Sequence, residues 1–183
     1  MDLILLEPGE PGLFGERSEA LAAGLAAETW DGLDFDPGPC IELVSIHQGM
    51  KQQVTTDVSN SARTSGRPVV TEFTCVKYVD RTSVRLYDYC LRAQPIGHGV
   101  DKPTKIHVLR NSNGTRSSIL TISLRDAIIS EIQFQSQPDD MPTEMFKVNF
   151  TEILWRYGAA AAGASGPVAG WSLSRNRPIT SFI

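Results

Sequence analysis

Residues 105–124 read KIHVLRNSNGTRSSILTISL. Two aliphatic runs flank Asn113-Gly114, a dipeptide that tolerates positive φ at both central positions of a tight hairpin turn. In the second run Leu120, Ile122 and Leu124 alternate with Thr121 and Ser123, so one face of that strand meets a core and the other meets water. The segment therefore predicts an antiparallel hairpin and a mainly β fold.

Toward the C-terminus, Arg125-Asp126 ends the run, residues 128–134 resume strand character, and Pro138 and Pro142 punctuate the chain before a last long strand over residues 144–157. Within that strand Phe146, Val148 and Phe150 share one parity, whereas Ile153, Trp155 and Tyr157 share the other. A change of parity requires a bulge or a second surface to bury the other face. Residues 159–170 form a small-residue linker, followed by a terminal segment with Trp171, Leu173, Pro178 and Phe182. Burying a tryptophan is worth a few kcal/mol, so the tail is expected to dock through Trp171 and Leu173.

Toward the N-terminus, Asp80 or Thr82 can cap a helix running to about Leu91, with Val84, Tyr87 and Leu91 as its stripe and Leu86 and Cys90 widening it. Residues 69–79 read as one strand, with Val69, Phe73 and Cys75 on one face and Val70, Val76 and Tyr78 on the other. Apolar residues on both faces imply burial on both sides or an interface. Residues 55–68 are nearly all Thr, Ser, Asn, Asp, Arg and Gly, which predicts a long exposed loop. Residues 41–46 form a second strand and residues 3–6 a short buried one. Between these, glycine and proline punctuate a long excursion that has room for a short helix over residues 20–27.

At 183 residues the chain accommodates one ordinary domain. A hydrophobic fraction of 41% and a charged fraction of 21% indicate neither disorder nor a membrane class, and no apolar run reaches the roughly 20 residues of a membrane helix. Seventeen basic residues against 21 acidic ones, without a basic cluster, argue against a nucleic-acid partner. Cys40, Cys75 and Cys90 lack CxxC spacing and read as reduced thiols. Asp2 and the four-residue apolar run after it do not build a signal peptide, so any export is expected to use another route.

Chemistry-bearing patterns are sparse. His47, His98 and His107 show neither HxH nor HExxH spacing and read as surface or packed histidines rather than metal ligands. No GxSxG elbow or phosphate-binding glycine loop occurs. Glu16, Glu19, Asp139 and Asp140 lie in polar, turn-like sequence and read as solvated charge, and the sequons at Asn113 and Asn149 lack a secretory context. The residues thus nominate no catalytic, cofactor or metal site.

Several segments in order resemble the hemolysin-coregulated protein (Hcp) family of type VI secretion systems. They are residues 1–6 (MDLILL), Gly12-Leu13-Phe14-Gly15-Glu16, residues 41–46 (IELVSI) with Gly49 behind them, and Val58-Ser59-Asn60. The series continues with residues 63–68 (RTSGRP), residues 77–83 (KYVDRTS), residues 144–155 (EMFKVNFTEILW) and residues 170–176 (GWSLSRN). Two departures stand out: residues 17–39 are longer than the family's first connection, and His47-Gln48-Gly49 replaces the commoner Ser-His-Gly.

The resemblance implies a compact antiparallel β-barrel of two packed sheets with one flanking helix over residues 1–158, followed by a linker and docking tail over residues 159–183. It further implies a non-enzymatic homohexameric ring that stacks into a tube. The expected partners are a VgrG-type spike, a contractile sheath, and effectors held in the lumen. The subunit is expected to be cytoplasmic before assembly and then to leave the cell with the machine. Given such rings, the polar loop is expected to join ring to ring through Thr55, Thr56, Asp57, Ser59, Asn60, Arg63, Thr64 and Ser65, because it lacks the apolar side chains of an obligate subunit contact. Two other readings remain: an effector enzyme built on the same module, and a monomeric β-sandwich binding protein. The residues after Tyr157 are too few for a second fold, which weighs against the first.

Overall fold

A computed structural model describes residues 3–10, 12–14, 29–30, 35–56, 63–112, 115–158 and 166–183. At its centre are β10 (Thr104–Ser112) and β11 (Thr115–Arg125), paired antiparallel from Thr104 opposite Leu124 to Ser112 opposite Thr115. A register irregularity at Val108/Leu109 interrupts the ladder. Strand β1 (Leu3–Glu7) pairs with the free side of β10, and β3 (Ile41–Leu43) pairs with β1. On the other side β14 (Glu152–Tyr157), β15 (Val168–Ser172) and β16 (Arg177–Pro178) extend the same sheet from β11. The two-residue β2 (Thr29–Trp30) runs parallel to the far end of β11. The postulated helix at residues 20–27 lies outside the described residues.

A second sheet has the order β12 (Ile128–Gln135), β13 (Thr143–Asn149), β9 (Phe73–Tyr78), β4 (Ser45–His47), all antiparallel. Leu6, Ile106, Ile122, Leu124 and Ile153 of the large sheet meet Phe73, Cys75, Phe146 and Val148 of the small one in a continuous apolar core. These residues sit at every second position of their strands, so pleat alternation alone brings them to one face.

Two expected strands divide where the chain changes sheet. The run 41–46 splits at Val44 into β3 of the large sheet and β4 of the small one. The run 144–157 likewise splits at Phe150-Thr151 into β13 and β14. The parity change there is no bulge within one strand. Phe150 fills the corner between the sheets, the Thr151 amide donates to the Arg125 carbonyl at 3.0 Å, and each half then keeps its own alternation.

The run 69–79 also divides, into β8 (Val69–Val70) and β9. The expected loop over residues 55–68 contains ordered structure: β6 (Val54–Thr56) pairs with β7 (Arg63–Ser65), and beneath them β5 (Met50–Lys51) pairs with β8. Two short ladders in series make an arm, because the Thr- and Val-rich ends of the polar stretch retain strand preference.

The helix α1 spans Ser83–Leu91, and its buried side keeps Leu86 and Cys90 of the expected stripe but not Val84 or Leu91. Leu86 and Ser83 face inward and Tyr89 and Cys90 pack on the core, while Val84 is 70% and Leu91 87% exposed. The linker is shorter than residues 159–170, since Val168, Ala169 and Gly170 are already in β15.

Candidate assembly surfaces

The helix is fixed to the small sheet by a buried polar cluster. Lys77 continues the inward parity of Phe73 and Cys75, and Glu144 that of Phe146 and Val148, so the register that builds the core also buries both charges. Lys77 Nζ donates to Glu144 Oε1 at 2.9 Å, Asp80 Oδ1 at 3.0 Å, Ser83 Oγ at 3.0 Å and the Tyr78 carbonyl at 2.8 Å. Glu144 also accepts from Ser83 Oγ at 2.8 Å and Tyr87 Oη at 2.6 Å. Every hydrogen of the ammonium thus has an acceptor, which offsets the cost of desolvating the pair.

The start of α1 is held by the same cluster. Thr82 is the N-cap residue but makes no side-chain cap; the Asp80 carboxylate instead accepts from the Thr82 amide and hydroxyl at 2.8 and 2.6 Å. Burial alone would raise the Asp80 carboxyl, but bonds from Thr82 and Lys77 and the Lys77 charge hold it below the usual carboxylate range. Its contribution to stability is complete above that range and is lost as pH falls through the lowered value. Burial, then the Glu144 bond and charge, push the Tyr87 hydroxyl up to about 12.

The arm and the tail meet. Arg67 donates to the Leu173 carbonyl. Strand β15 pairs with β14 from Glu152 opposite Ser172 to Arg156 opposite Val168, placing Trp171 across from the core residue Ile153. Trp171 and Leu173 pack against the core, and Ile179 is buried behind them. A side chain at Gly170 would strike Leu154 Cδ2 at 2.4 Å and the Ile153 carbonyl at 2.7 Å, so a bare Cα is what lets this strand seat. Between the arm base and β14–β15 lies a groove of about 420 Å³, lined by Met50, Lys51, Gln52, Pro68 and Val70 from the arm base and Trp155, Ala169 and Trp171 from β14–β15.

Of the residues expected in the stacking loop, Thr55 and Thr56 are in β6 and Arg63, Thr64 and Ser65 in β7. Asp57, Ser59 and Asn60 lie outside the described residues, as do Glu16 and Glu19. Thr55 is directly opposite Thr64, and Thr56 opposite Arg63, so the ladder brings these positions together.

The sequence places Tyr87 on the helix stripe and Lys77 and Glu144 within family-like segments, but gives none of the three a role in a buried cluster. The available signal was a charge at an inward-parity position of an apolar strand, present in both β9 and β13. Among the described residues no group of three or more His, Cys, Asp or Glu side chains is placed to hold a metal ion. His107 is buried, stacked on Phe35 with centroids 3.6 Å apart, and donates to Glu7 Oε2 at 2.9 Å. Burial would raise the Glu7 carboxyl, but the His107 bond and the Lys105 charge hold it low.

Comparison with known proteins assigns this architecture. The family profile described as "Type VI secretion system effector, Hcp" matches residues 39–157. A solved structure described as a type six secretion system protein superposes with a TM-score of 0.72 at 14% identity, covering 98% of this chain and 100% of that one. Hcp1 from Salmonella typhimurium superposes with a TM-score of 0.64 at 17% identity, covering 97% and 99%. The secreted protein Hcp3 from Pseudomonas aeruginosa gives a TM-score of 0.56 at 15% identity, covering 93% and 96%. No curated protein matches the sequence. No helix among the described residues is long and apolar enough to cross a membrane. With the profile spanning the core of both sheets and the helix, the chain belongs to the Hcp family, the tube subunits of type VI secretion systems.

Proposed function

We propose that six copies of this chain close into a ring, that rings stack into the tube, and that the arm of β6 and β7 joins ring to ring. The chain acts as a structural part and not as an enzyme. It leaves the cell through the type VI machine, with a VgrG-type spike, the sheath and lumen-held effectors as partners. The observation that carries the reading is the set of large apolar side chains left on the surface by a folded subunit, among them Met50, Val84, Leu91, Phe134, Met141 and Tyr157. A lone subunit leaves such surface wet; a closed assembly covers it.

The arm supports stacking rather than ring closure because its residues are hydroxyls, amides and single charges. Hydrogen bonds of about 1 kcal/mol each become effective when six copies act together, and remain weak enough for a tube to come apart after delivery. Arg63→Glu is expected to leave ring mass and melting temperature near those of the unaltered protein while reducing tube formation and secretion. Loss of the ring itself would assign the arm to ring closure, and tubes of unaltered length would assign it to neither role.

A further inference from the structure

The groove and an exposed methionine turn lie at opposite ends of one strand. Strand β9 covers about 17 Å of extended chain from Phe73 to Tyr78. At its Phe73 end, β4 and β8 lead into the β5–β8 ladder, so the Met50 and Val70 wall of the groove is there. At its Tyr78 end, Tyr78 is opposite Thr143, and the Val79 amide donates to the Pro142 carbonyl at 3.0 Å. The turn between β12 and β13 is therefore at that end. It holds Met141 62% exposed, with Asp139 and Asp140 just before it, also exposed. Lys51, an exposed residue of the groove lining, makes no ion pair among the described residues.

We infer that a second copy of this chain seats its Met141 turn in the groove, with Met141 against Trp155 and Trp171 and the carboxylates of Asp139 and Asp140 facing Lys51. The inference rests on the reading of the chain as a stacking tube subunit and deepens it. Apolar groove meets apolar side chain and cation meets paired carboxylates, so polarity and charge both match. The two surfaces differ and point in opposite directions along the small sheet. The contact is therefore head to tail and cannot close a two-fold pair; with its two surfaces at opposite ends of β9, repeating it propagates along that strand, as a stack requires. It also supplies what the polar arm lacks, a small desolvated centre for the ring-to-ring contact. Thioether and indole are suited to each other, since a polarizable sulfur packs favourably on aromatic rings.

The test uses the full chain as Lys51→Glu, Asp140→Lys and the two combined, with ring mass, melting temperature and stack length measured by sedimentation and electron microscopy. Lys51→Glu sets a carboxylate against two others, and Asp140→Lys sets a second ammonium against Lys51 and leaves Asp139 alone to attract it, so each is expected to cut the number of rings per stack roughly tenfold, since six contacts weaken at once. The combined change restores opposite charges and is expected to recover long stacks. Met141→Ser, which removes the apolar knob without touching charge, is expected to shorten stacks in the same way. Rings that form but stack equally well in all variants would overturn this contact and leave the tube reading standing, as would a combined variant no better than either single one. Absence of rings from the unaltered protein would overturn both. A groove that takes up an apolar peptide of another protein while stacking proceeds unchanged would assign it to that partner and overturn the inference.

Discussion

Lys77→Met is expected to lower the unfolding free energy by about 3–5 kcal/mol, because it leaves the buried Glu144 carboxyl with no cation beside it. For a domain of this size that corresponds to a fall in melting temperature of roughly 10 °C. The damage should not stop at stability. Lys77 Nζ also holds Asp80 and Ser83, and Asp80 orders the first turn of α1, so loss of one ammonium loosens the helix from the sheet. Combining Lys77→Met with Glu144→Leu removes both charges and should recover much of the loss, since apolar replacement of a whole buried pair is often neutral. Chemical denaturation of the three variants gives the measurement. A single variant within about 1 kcal/mol of the unaltered protein would show that water reaches Glu144 and that the pair is not sealed.

Deleting residues 159–183 is expected to reduce melting temperature and ring yield together. The deletion strips β15 from β14, removes the core contacts of Trp171, Leu173 and Ile179, and opens the Trp155 wall of the groove. Burial of two to three apolar side chains implies a loss of about 3–5 kcal/mol. It also exposes the β14 edge from Glu152 to Tyr157, with Tyr157 already open to solvent, so the truncated chain should aggregate more readily. Trp171→Ala in the full chain separates the two effects, because it keeps the edge covered while costing about 2 kcal/mol of packing. An unchanged melt and mass after deletion would show that the tail contributes nothing to the folded subunit.

How much of this was legible in the sequence varied from element to element. The β10–β11 hairpin could be read because Asn113-Gly114 and the Leu120–Leu124 alternation carry turn and face independently. The division at Phe150-Thr151 could not. Two strands in different sheets, joined by a two-residue corner, give the same parity pattern as one strand with a bulge. The helix was legible in position but not in orientation. Val84, Tyr87 and Leu91 recur at helical spacing just as Leu86 and Cys90 do, and only the Lys77–Glu144 cluster, which pins Ser83 and Tyr87, selects which side faces inward. That cluster left only a weak trace, an inward-parity charge in each of two strands, because a lysine or glutamate in a strand reads as a wet face until the strand pairing that sets Glu144 opposite Lys77 is known. The polar arm looked like a loop because Thr, Ser and Arg dominate it, yet hydrogen bonding between Thr55 and Thr64 positions needs only backbone. The groove could not be foreseen at all, since residues from the arm base and the tail, about 100 positions apart, build its two walls.

A closed ring is the form in which this subunit is expected to work. The direct measurement is the solution mass of the purified full chain at micromolar concentration, by sedimentation or light scattering, with electron microscopy of the same sample. The expected species is six-fold above the 20.0 kDa subunit, seen end-on as a ring with an open centre. A monodisperse 20.0 kDa monomer across that concentration range would contradict it.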